Sequence, residues 1–180
     1  MDPNHCFSDD DRIASRRQLM RLGMSPLDLT EGVRAGQLLR VRRDRYALPS
    51  TAPAILEAVR VGGVLSCISA ADFHGIWVPD EPSTHIAMAH QASRMRSPGN
   101  RFVPLSLDNR DGCELHWWPL VEPGAASLHS VSVVDSLVHI IRCRPRTIAV
   151  AALDSALFEK KIACSGLERI FAAVPAKFAP

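Results

Sequence analysis

The sequence predicts an α+β fold: an N-terminal winged helix-turn-helix, then a mixed domain with a small β-sheet and a helical C-terminal third. Three observations lead to this prediction. Within residues 12–49, two segments with helix-capping residues precede a segment of strand-like alternation. Short apolar segments separated by Gly, Pro and Asn turns lie within residues 84–118, and helical periodicity dominates after residue 130. The expected domains are therefore a module at 12–49 and an α+β domain at 50–180.

Two helices are expected at the start of the module. The first covers residues 15–23, with Ser15 as its N-cap and Gly23 in a left-handed conformation at its end. The second covers residues 25–36 and begins with a serine. Its Pro26 occupies the first turn, where the missing N–H costs no helical hydrogen bond. Because only a tight turn separates the two helices, the second is the candidate recognition helix.

A β-hairpin is expected to follow as the wing of the module. Apolar residues alternate with arginines over residues 38–48, and the turn lies near Arg43-Asp44. This period of two predicts that the arginines of the two strands face solvent. They are Arg40, Arg42 and Arg45.

The positive charge of the chain is concentrated in this module. Residues 12–48 hold nine arginines and three acidic residues, a local net charge of +6, whereas the whole chain carries +2. Local charge density attracts phosphates, so shape and charge together predict binding to double-stranded DNA. The candidate phosphate contacts are arginines: Arg16, Arg17, Arg40, Arg42, Arg43 and Arg45. The candidate groove-facing residues lie on the second helix: Ser25, Leu27, Asp28, Thr30, Glu31 and Arg34.

Phosphate binding predicts a steep dependence of affinity on salt. With about four to six phosphate contacts, the logarithm of the binding constant should fall with the logarithm of salt concentration at a slope of about −4 to −5. The substitution Arg42→Ala is expected to weaken binding to all DNA sequences alike.

The second domain is expected to mix helices and strands. Helices are predicted at 54–61, 67–74, 133–143, 147–160 and from Ser165 onward. Strands are predicted at 84–89, 101–105 and 114–118. Ser66, Ser132 and Ser165 are the expected N-caps, the last two within capping boxes.

No enzymatic activity, cofactor or metal is expected from the motifs of the chain. It contains no G-x-S-x-G elbow, P-loop or dinucleotide fingerprint. Cys113 and His116 have the spacing of metal ligands, but no second pair with matching spacing completes the four ligands of a zinc site. The segment Glu159-Lys160-Lys161 resembles part of a nuclease motif, but its position indicates a charged helix end.

The expected compartment is the cytoplasm. The N-terminus is acidic and polar, unlike a secretory signal, and no apolar run approaches the roughly 20 residues that span a bilayer. The five cysteines are scattered along the chain and are expected to be reduced.

The order of the motifs resembles that of the AbiEi-type antitoxin family. In the N-terminal part, Leu-Gly-Met-Ser-Pro lies between the two helices and Gly-Gln-Leu-Leu-Arg-Val follows the second one. Tyr-Ala-Leu-Pro comes after the turn of the wing. The resemblance continues through Gly-Val-Leu-Ser, Ser-Ala-Ala and His-Gly within residues 63–75, and covers about residues 12–175. The resemblance implies a repressor that binds its own promoter. It also implies an antitoxin of an abortive-infection (phage defence) toxin–antitoxin system, which counters a nucleotidyltransferase-like toxin.

Two other functions stay open. Related chains of this organisation end in a very-short-patch-repair-like endonuclease domain, so the chain could be the DNA-targeting part of a nuclease-related protein that lacks its catalytic domain. Alternatively, the basic hairpin could meet an acidic protein in a pure protein-binding module.

Overall fold

The computed structural model describes residue 7, residues 13–110 and residues 112–175, and it confirms the α+β class. This part of the chain holds seven α-helices and two three-stranded β-sheets, with a helical C-terminal part. It divides into two compact units. Unit 1 comprises Met1–Gly62 with Ser93–Arg110, and unit 2 comprises Gly63–Ala92 with Asp111–Pro180.

Unit 1 contains the predicted helix, turn, helix and hairpin. Its elements are β1 (Ile13–Ala14), α1 (Arg16–Arg21), α2 (Pro26–Arg34), β2 (Leu39–Arg42), β3 (Arg45–Ala47) and α3 (Pro53–Val61). The strands form an antiparallel sheet in the order β1-β3-β2, in which Ile13 is opposite Ala47. The two-residue strand β1 was not expected from the sequence, because it is too short to show an alternation.

Local capping chemistry sets the starts of α1 and α2, as predicted. The Ser15 and Ser25 hydroxyls each accept a hydrogen bond from the backbone N–H three residues later. In both helices the side chain of that later residue accepts a hydrogen bond from the backbone N–H of the serine. Gly23 (φ 98°) follows α1 and allows the tight turn between the helices. The two helices close over a small core with the sheet. Its buried members are Ala14, Leu19, Met24, Leu29, Leu38 and Tyr46.

Unit 2 packs helices against a second small sheet. Its elements are β4 (Val64–Leu65), α4 (Cys67–Phe73), β5 (Thr84–Ala87), β6 (Cys113–His116), α5 (Val133–Cys143), α6 (Arg146–Phe158) and α7 (Cys164–Ala173). The sheet order is β4-β5-β6, with β4 antiparallel and β6 parallel to β5. The largest core lies among α4, α5, α6 and α7 and includes the fully buried Leu137, Ile140 and Ile170.

Three sequence predictions for the segment 50–180 are wrong. Residues 101–105 form no strand, and only an isolated bridge joins Arg96 to Pro104, which has no N–H to donate to a ladder. Ser66 precedes α4, but its hydroxyl bonds to the Nδ1 of His139 at 2.5 Å instead of capping the helix. No side chain caps α7, whose N-cap position is Ala163 rather than Ser165.

Two other predictions for unit 2 are confirmed. Ser132 is the N-cap of α5, where its hydroxyl accepts a hydrogen bond from the N–H of Asp135. The expected capping box is not completed, because the Asp135 carboxylate accepts from the Ser132 hydroxyl and from residues 121 and 122 instead of the Ser132 N–H. Helix α6 ends at Phe158, so Lys160 and Lys161 lie just beyond a helix terminus. Within the described residues, no helix combines the length and the apolar character needed to cross a bilayer.

Candidate nucleic-acid interface

The turn of the β2–β3 hairpin lies against the start of α1. Asp44 in this turn has a left-handed backbone conformation, with φ of 59°. Its Oδ1 accepts a hydrogen bond of 2.9 Å from the backbone N–H of Arg16, the first residue of α1. The first N–H groups of a helix have no acceptor within the helix, so the carboxylate satisfies one of them. This bond fixes the position of the hairpin turn relative to Arg16.

The N-terminal side chains of α2 are partly committed to the helix itself. The Ser25 hydroxyl accepts from the N–H of Asp28 at 3.1 Å, and the Asp28 carboxylate accepts from the N–H of Ser25 at 2.7 Å. The pKa of the Asp28 carboxyl lies below its ordinary value. The main cause is the hydrogen bond from the Ser25 backbone N–H, and a smaller one is the interaction of the carboxylate with the Ser25 hydroxyl. Four further residues of α2 that were predicted to face a DNA groove are exposed: Leu27, Thr30, Glu31 and Arg34. The exposed face of α2 therefore carries apolar, hydroxyl, acidic and basic groups.

Five arginines from separate segments of unit 1 line one groove. They are Arg16 of α1, Arg34 of α2, Arg40 of β2, Arg43 of the hairpin turn and Arg101 of the 93–110 segment. Leu29, Thr30 and Tyr46 also line this groove, so it runs beside α2. Among the described lining residues Asp44 is the only acidic one, which leaves a net charge of +4 around the groove.

The basic surface continues along α1. Arg17 and Arg21 line a second shallow depression together with Arg16, Met20 and Asp44. Both Arg16 and Arg17 are exposed, as a phosphate-binding role requires. The predicted residues Arg16, Arg17, Arg34, Arg40 and Arg43 thus lie around neighbouring depressions.

Arg42 departs from the predicted solvent-facing position. Its Nη1 donates to the carbonyl oxygens of Arg60 and Val61 at 2.9 and 2.8 Å, at the C-terminal end of α3. Its Nη2 donates to the carbonyl oxygen of Arg94 at 3.0 Å. Burial still alternates along β2, with Val41 buried between Arg40 and Arg42, but Arg42 is half-buried because the end of α3 and Arg94 lie against its side chain. The guanidinium therefore binds the chain itself and joins β2 to α3 and to the 93–110 segment.

The surroundings of Arg42 show how closely the chain approaches it. Gly62, the C-cap of α3, has φ of 108°, and a Cβ added there would collide with the Arg42 guanidinium. Burial lowers the pKa of Arg42, and the nearby charges of Arg96 and Arg45 lower it further. An arginine stays charged despite such a shift, and carbonyl oxygens at a helix C-terminus favour a positive charge.

Arg45 is also partly occupied within the hairpin. Its Nη1 donates to the Asp44 carbonyl oxygen at 2.9 Å and lies 3.3 Å from the Asp44 carboxylate. Its side chain is 33 % exposed, so it remains accessible from one side. Arg45 therefore holds the turn and contributes less free charge than Arg40 or Arg43.

Arg101 was not among the residues predicted from the sequence. It lies in the segment 101–105 that was expected to be a strand of the second domain, and its guanidinium stacks over the Phe102 ring at 4.3 Å. The only sequence signal was the basic character of the surrounding segment, because its approach to the groove depends on tertiary packing within unit 1.

The groove has the chemistry of an anion-binding surface. Arginine presents five N–H donors in a planar fork, which matches the oxygens of a phosphate. Arginines spaced around a groove, next to an exposed helix face, can contact a backbone of phosphates while that face meets the edges of bases.

Comparison with known proteins gives a family match that covers the N-terminal segment. A search of curated proteins found no match to the chain. A scan of family models matched residues 2–49, which hold α1, α2 and the hairpin but not the later segments. No nuclease fusion is part of that match. The matched model is described as transcriptional regulator, AbiEi antitoxin, and the resemblance to AbiEi-type antitoxins is thereby confirmed for the N-terminal segment of this chain.

Proposed function

We propose that the chain is a DNA-binding transcriptional repressor that acts on its own promoter as the antitoxin of an abortive-infection toxin–antitoxin system. One observation carries this proposal. Five arginines line a single groove beside the exposed face of α2, and four of them fall within the segment that matches an antitoxin transcriptional regulator family.

In this proposal α1, α2 and the β2–β3 hairpin act as a winged helix-turn-helix. Helix α2 enters the major groove, with Leu27, Thr30, Glu31 and Arg34 near base edges. Ser25 and Asp28 lie at its N-terminal end and meet the DNA through the capped turn that they form.

The phosphate contacts are assigned to arginines that line the two depressions. They are the exposed Arg16, Arg17, Arg40 and Arg43 and the half-buried Arg101. The half-buried Arg45 has a lesser role. Arg42 is assigned to holding the fold, because its donors already face the carbonyl oxygens of Arg60, Val61 and Arg94.

The remaining parts of the proposal concern partners and organisation. The segment 12–49 is the DNA-binding module, to which Arg101 adds one contact from outside it. The rest of the segment 50–180 carries the surface that counters a nucleotidyltransferase-like toxin. The chain acts in the cytoplasm as part of phage defence and has no catalytic activity of its own.

The test is binding of the purified full chain to its own upstream DNA and to a scrambled duplex of equal length, at several salt concentrations. We expect a preference for the upstream DNA and a slope of log affinity against log salt of about −4 to −5. Equal binding to both duplexes would favour a DNA-targeting fragment of a nuclease system. Failure to bind any duplex at low salt would favour a protein-binding module and overturn the proposal.

Neutralising the exposed wing arginines should reduce the salt slope. For the double variant Arg40→Ala with Arg43→Ala, the loss of about two phosphate contacts should shift the slope by about 2 units toward zero. Stability should change by less than about 0.5 kcal/mol because both side chains are exposed. Arg110→Ala, at an exposed arginine outside the groove lining, is the matched control and should keep the slope of the wild type. An unchanged slope in the double variant would exclude these two residues as phosphate contacts.

A further inference from the structure

Unit 2 brings two cysteines and two histidines together at one buried place. Cys67 begins α4, His85 lies in β5, His116 ends β6 and Cys143 ends α5. One potential ligand atom from each residue lies within 4.8 Å of all the others. Cys67 and His85 are fully buried, His116 is 6 % exposed, and neither cysteine is part of a disulfide. Four segments that are far apart in sequence therefore bring two sulfur atoms and two imidazole nitrogen atoms close together.

Two of the distances between these atoms are close to those of a tetrahedral metal site. The Nδ1 of His85 lies 2.9 Å from the Nε2 of His116 and 3.9 Å from the Sγ of Cys143. For zinc bonds of about 2.3 Å to sulfur and about 2.05 Å to nitrogen, a regular tetrahedron has N–N edges of about 3.3 Å and S–N edges of about 3.6 Å. Each of these two distances differs from the tetrahedral value by a few tenths of an ångström, and all the other pairs lie within 4.8 Å.

The backbone and the neighbouring rings hold these donors in place. Cys67 has a left-handed φ of 49° although it carries a side chain, a conformation that is uncommon outside glycine. The His116 ring stacks on Trp118 with the centroids 4.6 Å apart, and it lies nearly parallel to the His85 ring. The side chains are therefore positioned by contacts beyond the cluster itself.

The outer nitrogen of His85 lies near a carboxylate that could accept its N–H in a metal-bound state. Its Nε2 lies 3.5 Å from a carboxylate oxygen of Glu81. Metal-bound histidines commonly donate their other ring N–H to a carboxylate, which fixes the tautomer. Arg144 also contacts His85 Nε2, and a guanidinium can only donate there. In the loaded site, where Nε2 carries the proton, Arg144 must therefore shift away from this nitrogen while keeping its ion pairs with Glu81 and Glu114.

We propose that Cys67, His85, His116 and Cys143 form a structural zinc site. Two thiolates and two neutral imidazoles give a closed Cys2His2 ligand set, which is typical of structural zinc. Two thiolate charges balance one Zn²⁺ ion, so the loaded site is neutral and suited to a buried position. The ion would connect α4 and α5 to the parallel β5–β6 pair. This proposal concerns unit 2 alone and is independent of DNA binding by unit 1.

The sequence predicted no metal site, because the spaced pair Cys113 and His116 had no second pair. His116 belongs to the cluster, but its spaced neighbour Cys113 does not. The alternative is a metal-free cluster in which His85 bonds to His116 and Cys67 donates to Cys143. That last bond lowers the pKa of the Cys143 thiol and raises the pKa of Cys67. The proposed site would retain zinc and give a coloured cobalt derivative, whereas the metal-free cluster would do neither.

The primary test uses the full wild-type chain without a metal-binding tag. After growth with zinc and dialysis, elemental analysis should find about one zinc ion per chain. Replacement of zinc by Co²⁺ should give the intense visible bands of a tetrahedral ion and a near-ultraviolet thiolate-to-cobalt band. A folded chain that retains no zinc, or a cobalt derivative with neither feature, would overturn the proposal.

Variants assign the ligands. Cys143→Ser should abolish the thiolate-to-cobalt band or lower it strongly, whereas Cys164→Ser, at an exposed cysteine outside the cluster, should leave it unchanged. Glu81→Gln keeps all four ligands and should weaken zinc binding by about 10- to 100-fold through loss of the outer contact. This variant serves as the test should Cys143→Ser fail to fold. Equal zinc affinity in Glu81→Gln and wild type, or metal loss in Cys164→Ser, would contradict the assigned geometry.

Discussion

The substitution Arg42→Ala is expected to lower the free energy of unfolding of unit 1 by about 2–3 kcal/mol. The lost guanidinium donates to carbonyl oxygens at the end of α3 and at Arg94, and some of these bonds are partly buried. Hydrogen bonds from a charged donor contribute more than neutral ones, and the carbonyl oxygens would keep only part of their solvation. Denaturant titration followed by far-UV circular dichroism measures the loss.

The same variant separates a role in folding from a role in DNA binding. All three tryptophans lie in unit 2, so tryptophan fluorescence provides an internal reference that this substitution should leave largely unchanged. In native conditions, the salt slope of DNA binding should match that of the wild type, since no phosphate contact is lost. Arg42→Lys retains the charge without the planar fork and should recover part of the stability. A stable Arg42→Ala protein whose slope moves by about 1 unit toward zero would instead support the phosphate contact expected from the sequence.

The elements of unit 1 could be predicted because their signals are local. Ser15 and Ser25 bond to backbone groups three residues away, and Gly23 follows α1 with a positive φ. Such interactions depend on neighbours in sequence, so they are visible without knowledge of the tertiary structure. The same holds for the turn at Arg43-Asp44.

The features that could not be predicted depend on residues far apart in sequence. Ser66 has the sequence context of an N-cap, but the imidazole of His139 binds its hydroxyl instead. The alternation in β2 predicted an exposed Arg42, yet carbonyl oxygens at the end of α3 and at Arg94 bind its guanidinium. The proposed metal ligands show no spaced second pair because each lies on a different element.

The arginines of the wing illustrate how these two levels combine. Sequence composition locates the positive charge in the N-terminal segment, but it does not distinguish arginines that bind the chain from arginines that remain accessible. Arg40 and Arg43 line the groove, whereas Arg42 is satisfied by carbonyl oxygens. The accessible arginines therefore define a narrower interface than the count of charges suggests, and Arg101 extends it from outside the matched segment.

The substitution Asp135→Ala is expected to destabilise unit 2 by about 3 kcal/mol. The Asp135 side chain is fully buried at the start of α5. One carboxylate oxygen accepts from the N–H of Val121 at 2.6 Å. The other accepts from the N–H of Glu122 at 3.2 Å and from the Ser132 hydroxyl at 3.0 Å. Alanine would leave these donors without their acceptor in a partly buried place, and an unsatisfied donor costs more than the net value of its bond.

Two further variants make the Asp135 prediction specific. Asp135→Asn keeps the shape of the side chain but replaces one acceptor oxygen with a donor, so it should lose about 1–2 kcal/mol. Asp154→Ala removes an exposed carboxylate from α6 and should change stability by less than about 0.5 kcal/mol. Denaturant titration followed by tryptophan fluorescence reports unit 2 in each case. Equal stability of Asp135→Ala and Asp154→Ala would mean that the 121–122 segment does not depend on this carboxylate. A graded loss from Asn to Ala would show that the buried acceptors, rather than packing alone, hold that segment against α5.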